Sequence, residues 1–232
     1  MHIIGEYNSE WGNPKGVVFS LGLPINTEGL EQYFDRFDTI SHPHGDFYRG
    51  TNKDGEILIV ETAPGNASTF RFQEFLYSGP AEYGIGVGFA GAKSDIRRKV
   101  IIPSRADFFP ELESYEPIYN GIASKELVES IRKECSNSHI YSQEGTIYSI
   151  PVSRNLPAAQ KFARSLMVNG EYDAVDCETP LFYHLANKNN KQVASILVPS
   201  DLPDGSFSNW AWEMLPKITE VVVKSIYKMD SL

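Results

Sequence analysis

Apolar positions along this chain fall into two kinds of run, and the two alternate. Short stretches rich in valine and isoleucine read as strands: "GVVFSLG" (16–22), "EILIVETAPG" (56–65), "YGIGVGFAGA" (83–92), "RKVIIPSRA" (98–106), "IYSIPV" (147–152) and "VASILVPSD" (193–201). Several are apolar at consecutive positions, as a strand covered on both faces requires. Between them lie stretches with helical spacing. These are "TEGLEQYFDRF" (27–37) with Thr27 as its N-cap, "ASTFRFQEFLYSG" (67–79) ending on Gly79 as a left-handed cap, and "SKELVESIRKEC" (124–135). Three more follow: "LPAAQKFARSL" (156–166), "PLFYHLANKN" (180–189) and "SNWAWEMLPKITEVVVKSIYKM" (208–229). Pro216 falls inside the last and predicts a kink or an interruption near Leu215, because proline lacks the amide hydrogen and crowds the preceding turn.

Strand and helix in alternation predict a three-layer α/β sandwich with a mixed, largely parallel sheet. No repeat or low-complexity linker divides the chain, so a single domain over 1–232 is expected, with "TNKDGE" and "SDLPDGS" as local turns. At 232 residues, 41% of them hydrophobic, the chain is long enough to bury a full core.

Charge and cysteine usage narrow the chemistry. A formal net charge of -9 opposes partners held by phosphate neutralisation, so nucleic acids and anionic membranes are not expected. No apolar run approaches the roughly 20 residues that cross a bilayer. Cys135 and Cys177 stand alone, without a Cys or His at metal-ligand spacing, and no apolar leader precedes "MHIIGEYNSEW". A reduced, cytoplasmic protein without a metal or cofactor is the expectation, with a small molecule as partner.

In open α/β sheets ligands collect at the carboxyl ends of strands. The first such place, "GIGVGFAGA", contains Gly86, Gly88 and Gly91 in the G-x-G-x-x-G order of a dinucleotide loop. Its sequel runs into another strand and not a helix, so close packing is the better account of these glycines. The second, Gly65 to Ser68 in "ETAPGNAS", offers free amide groups to an anion or a ribose hydroxyl, or simply an N-cap. The third is "VDCETPLFYHLA" with "VASILVPSD". Pro180 suits a first helical turn, which sets Glu178 at a helix N-terminus, while Asp201 ends a strand. Taken singly, the two acids read as a cap and a turn residue.

Taken together, Val175-Asp176-Cys177-Glu178-Thr179 and Ser200-Asp201, 23 positions from Glu178 to Asp201, resemble the nucleoside phosphorylases of the purine and uridine phosphorylase type, with their related hydrolases. "VVFSLGLPIN" is similar to that family's first strand and Gly-x-Pro turn. "FYRGTNKDGEILIVETAPGNAS" is similar to its hairpin and Gly-rich loop, and "GVGFAGAKSDIRRKVIIPSRA" to its central Gly-rich segment. The resemblance implies cleavage of the N-glycosidic bond of a nucleoside, a purine one by the spacing. Such cleavage needs one carboxylate beside the ribose and one acid beside the base.

By the resemblance Glu178 accepts the ribose hydroxyls, Asp201 protonates the base, and Cys177 replaces a methionine beneath the sugar. Ile147 and Tyr148 match an aromatic base wall. A phosphorylase also holds a phosphate dianion, which arginine does best. Yet the family's arginine positions carry Asn26, His44 and Gly86 here, and its Ser/Thr is Phe89. Arg49 and the histidines of "SHPHGDFYRG" are the local sources of positive charge; His42 and His44 lack a third ligand for a metal. The water-holding pattern of the hydrolases is incomplete too, with Leu197 at the expected arginine and Glu28 as the nearest N-terminal acid. The expectation is therefore a nucleoside phosphorylase that uses phosphate as co-substrate and no cofactor, assembling as a homodimer or hexamer. A water-using nucleosidase and a silent nucleoside-binding relative are the alternatives.

Overall fold

The structure, a computed structural model, describes residues 7–23, 27, 29–63, 68–93, 96, 98–109, 119–149, 171–201 and 209–229. Among the described residues ten strands form one sheet: β1 Gly16–Leu21, β2 Arg36–Ile40, β3 Phe47–Asn52, β4 Gly55–Glu61, β5 Tyr83–Ala92, β6 Val100–Phe108, β7 Tyr119–Ile122, β8 Ser142–Ser149, β9 Ala174–Val175 and β10 Gln192–Asp201. The longer helical segments among them pack on it. They are α1, Thr69–Phe72, prolonged by a π turn over Gln73–Tyr77, then α2 Lys125–Asn137, α3 Thr179–Lys188 and α4 Asn209–Lys228.

The near-continuous apolar runs have the expected cause. Along β1, Val17, Phe19 and Leu21 face one core while Val18 faces the other, and along β10 Val193 and Leu197 oppose Ala194, Ile196 and Val198. Leu127, Ile131 and Cys135 of α2 and the Val221–Val223 stretch of α4 cover one face; Phe72 and Phe75 of α1 and Phe182 and Tyr183 of α3 cover the other. Three layers result, with a core on each side of the sheet.

The sheet is mixed. β4, β1, β5 and β10 run parallel in the middle, and the β3–β4 hairpin turns at Asn52–Gly55 within "TNKDGE". Beyond β5 the sheet curls into a ring. β10 pairs with both β5 and β6, β6 with β8, β8 with β9, and β9 returns to β5. Closing the ring draws the ends of β5, β10 and β8 around the two-residue strand β9, which prepares the site.

Two local expectations are corrected, and a third, of a kink or an interruption near Leu215, is narrowed. The predicted helix 27–37 is a single turn at Glu31–Tyr33 followed by β2. Pairing with β3 outweighs its helical spacing: Phe37 stacks on Tyr48 at 5.7 Å, and Asp38 bonds both Arg36 and Arg49. Gly79 does not take the left-handed conformation after α1; a Cβ there would lie 2.8 Å from the Phe75 carbonyl and 2.9 Å from the Tyr7 ring. No interruption occurs at Pro216, since α4 continues through it. The expected helix 156–166 and the turn after Asp201 lie outside the described residues.

Candidate active site

A row of paired residues crosses the ring and sets several of the candidate positions on neighbouring strands. Asp201 at the end of β10 pairs with Gly91 of β5, Gly91 with Val175 of β9, Val175 with Tyr148 of β8, and Tyr148 with Asp107 of β6. At about 4.8 Å per strand, the backbones of Asp201 and Val175 are roughly 10 Å apart, and Glu178 follows Val175 by one turn of chain. Ile147 sits one step along in the same ladder, opposite Ala174. The backbone of Asp201 is the end of β10; its side chain lies outside the described ones.

The turn after β9 is built by Asp176. Its amide donates to the Tyr148 carbonyl at 3.2 Å, and its carbonyl accepts from the Ser149 hydroxyl. One carboxylate oxygen lies 3.2 Å from that hydroxyl, and the other accepts from the Thr179 amide at 3.0 Å and from the Thr179 hydroxyl. Capping of α3, read from sequence as an option for Glu178, therefore belongs to Asp176: Glu178 occupies the N-cap position without a side-chain bond to the helix end. Both acids are buried, Asp176 at 3% exposure and Glu178 at 6%. Burial first, and then the neighbouring Glu178 carboxylate, push Asp176 up to about 7 against the hydrogen bonds that favour its ionised form. Cys177 between them is exposed. Burial pushes the other thiol, Cys135, up to about 12, and it lies inside the core beneath α2.

On the β8 side, Tyr148 and Ile147 are fully buried. Tyr148 meets Tyr172 at 5.3 Å and Phe109 at 6.3 Å, ring to edge. Behind this cluster the fully buried Asp107 accepts from the Tyr172 hydroxyl at 2.7 Å and from both Nε and Nη2 of Arg105 at 3.0 and 2.7 Å. Asp107, Tyr172 and Ser149 were not singled out in the sequence; their partners are 27 to 65 positions away, beyond the reach of local spacing.

The described residues among those proposed to hold phosphate each have other contacts. Asn26 lies outside the described residues. Arg49 bonds Asp38 on the neighbouring edge strand at 3.3 Å. His44 is exposed, and its amide donates to His42 Nδ1. That nitrogen also faces Arg71 Nη1 at 2.8 Å, so His42 carries its proton on Nε2 and donates to Glu74 at 3.0 Å. Arg71 is spent within the same buried knot on the carbonyls of His44 and Gly45. Gly86 touches both neighbours, since a Cβ there would stand 2.8 Å from Ser195 Oγ and from Leu21 Cδ1. Phe89 packs edge-on against Trp212 of α4 at 4.8 Å. Close packing is thus the account of Gly86, as the sequence suggested, and a Cβ at Gly88 would stand 3.1 Å from Leu21 Cβ. At the end of β1, Gly22 takes a left-handed φ of 63°, and its amide is held by the Thr62 hydroxyl.

Among the described residues no group of three His, Cys, Asp or Glu side chains is placed to hold a metal ion, and no helix is long and apolar enough to cross a membrane.

The family model described as the phosphorylase superfamily matches residues 17–226. Purine nucleoside phosphorylase from Toxoplasma gondii, solved with immucillin-H, superposes with a TM-score of 0.79 at 14% identity, covering 99% of this chain and 98% of that one. Uridine phosphorylase from Vibrio fischeri ES114 superposes with a TM-score of 0.76 at 18% identity over 100% of both chains. The same enzyme complexed with 6-hydroxy-1-naphthoic acid gives 0.73 at 19% identity, over 94% of this chain and 92% of that one. No curated protein matches the sequence significantly.

Proposed function

Since the chain belongs to the phosphorylase superfamily, we propose that it cleaves the N-glycosidic bond of a nucleoside, with phosphate as the attacking co-substrate and no cofactor. The observation that carries this reading is the row Asp201–Gly91–Val175–Tyr148, which sets two carboxyl-bearing segments on either side of a glycine. Glu178, at the start of α3, accepts the sugar hydroxyls, and the partial positive charge of the helix N-terminus favours its ionised form. Its negative charge then faces the oxocarbenium-like sugar as the bond to the base lengthens. Asp201 delivers a proton to the leaving base, which would otherwise depart as an anion. Cys177, exposed beside Glu178, lines the sugar side. A purine is the base favoured by the 23-position spacing, and uridine is the competitor.

Cleavage by water and binding without cleavage are the alternatives, which the family match does not favour. Gly86 is packed between its neighbours, Phe89 is half-buried against Trp212, and Arg49 and Arg71 bond acids and carbonyls. Incubating the protein with inosine and with uridine, with and without phosphate, separates these readings. Free base appearing only with phosphate, together with ribose 1-phosphate, is the expected result. Base and free ribose without phosphate would assign the protein as a nucleosidase. Binding without release in either buffer overturns the enzyme readings.

A further inference from the structure

The two halves of the proposed pocket sit on different elements. The base side rests on the end of β8, while the sugar side rests on the turn between β9 and α3. One residue bridges them. The Asp176 amide and carbonyl are tied to Tyr148 and Ser149 of β8, and its carboxylate is tied to Ser149 and to the first residue of α3, Thr179. A two-residue strand supplies little rigidity of its own, and a buried acid two positions from a second acid is an expensive choice for a helix cap that serine or asparagine would fill. The arrangement makes sense if what must be held is the orientation of Glu178. A carboxylate preset on a clamped turn meets the sugar without first losing conformational freedom.

We propose that Asp176 is the positioning residue of the pocket, clamping the β9–α3 turn to the end of β8 so that Glu178 is presented to the sugar at a fixed distance from the base side. This rests on the reading of Glu178 given above. A residue that acts through Glu178 loses its effect when Glu178 is already disabled, whereas a residue that only supports the fold does not. A double-mutant cycle reads that difference directly.

The experiment measures inosine and uridine dissociation constants by titration calorimetry for wild type, Asp176→Asn, Glu178→Gln and the double variant. Asparagine keeps an acceptor for the Thr179 amide, which protects the fold. Each single variant is expected to weaken binding about tenfold, and the double variant to be within about twofold of Glu178→Gln alone. Ser149→Ala opens the clamp from the β8 side without touching the charge of the turn, and it should show the same non-additivity with Glu178→Gln. Full additivity, about a hundredfold loss in the double variant, overturns the positioning role while leaving the sugar role of Glu178 intact. If the wild type binds and Glu178→Gln changes nothing, the sugar role itself falls, and the clamp with it. A wild type that binds neither nucleoside overturns the functional reading.

Discussion

A carboxyl group that shares a buried turn with another carboxylate holds its proton more tightly than one in water, and Asp176 is such a group. Facing it are Glu178 on its own turn, Ser149 from β8, and Thr179 and Tyr183 from α3. Because its folded value, about 7, is raised above the ordinary 3.8, the native state binds more protons than the unfolded chain between those values. The stabilisation is therefore full below about pH 4 and is lost as the pH climbs through about 7. Urea unfolding of wild type and Asp176→Asn at about pH 5 and about pH 8 should show the variant gaining on the wild type as pH rises. A constant difference between them would show that Asp176 ionises normally. The neighbouring thiol gives an independent probe. Cys177 is exposed and Cys135 is buried with its thiol held up to about 12, so native protein should take up one equivalent of iodoacetamide. Inosine or uridine should slow that reaction; unchanged alkylation under saturating nucleoside would remove Cys177 from the sugar side. The acid assigned to the base has a different signature. Asp201→Asn should lower kcat by about 10²–10⁴ with KM changed only a few-fold, since the proton is needed only as the bond breaks.

At the scale of elements, what was legible in the sequence and what was not divide along physical lines. β1, β4, β5 and β10 lie inside the sheet with a core on each face, so their apolar runs announce themselves in composition alone. β2 has exposed or half-buried positions throughout and is held as a strand by β3, so its local spacing spoke for a helix that pairing overrode. β9 is two residues long, too short for any period, and only the resemblance around "VDCET" pointed to it. The carboxylates proposed for the site could be picked out in the sequence because they sit in one short motif and at one strand end. The clamp around Asp176 was not, because its partner Ser149 is 27 residues away. The glycines of β5 fall between these cases, flagged by sequence and explained by contact. Gly86 lies in the β5–β10 seam between Ser195 of β10 and Leu21 of β1, so Gly86→Ala forces a methyl group into a closed space and should cost about 1–3 kcal/mol in thermal or urea unfolding. Adding Ser195→Gly to that variant should recover part of the loss, because it removes one of the two atoms in the way. Equal stability of Gly86→Ala and wild type would mean that the seam is looser than these contacts.

On the scale of the whole molecule, the electrostatics set a condition on the proposed reaction. The chain carries a formal net charge of -9, and three acids, Glu178, Asp176 and Asp201, belong to the proposed site. Among the described arginines, Arg36 and Arg49 pair with Asp38, Arg71 is buried with Glu74, Arg105 is held by Asp107 and Arg132 pairs with Glu144, while Arg98 is exposed on the turn before β6. A phosphate dianion approaching such a surface meets repulsion over distances longer than a contact, and dissolved salt weakens that repulsion. The second-order rate constant kcat/KM for phosphate, measured at saturating inosine, should therefore rise as salt goes from about 10 mM to about 150 mM, over which the Debye length falls from about 30 Å to about 8 Å. A site walled by arginine gives the opposite slope, since salt then screens an attraction. A falling kcat/KM would thus place uncommitted positive charge at the phosphate. A rising value would mean that phosphate reaches the sugar against the field of the protein, held at the end by short-range hydrogen bonds and not by steering.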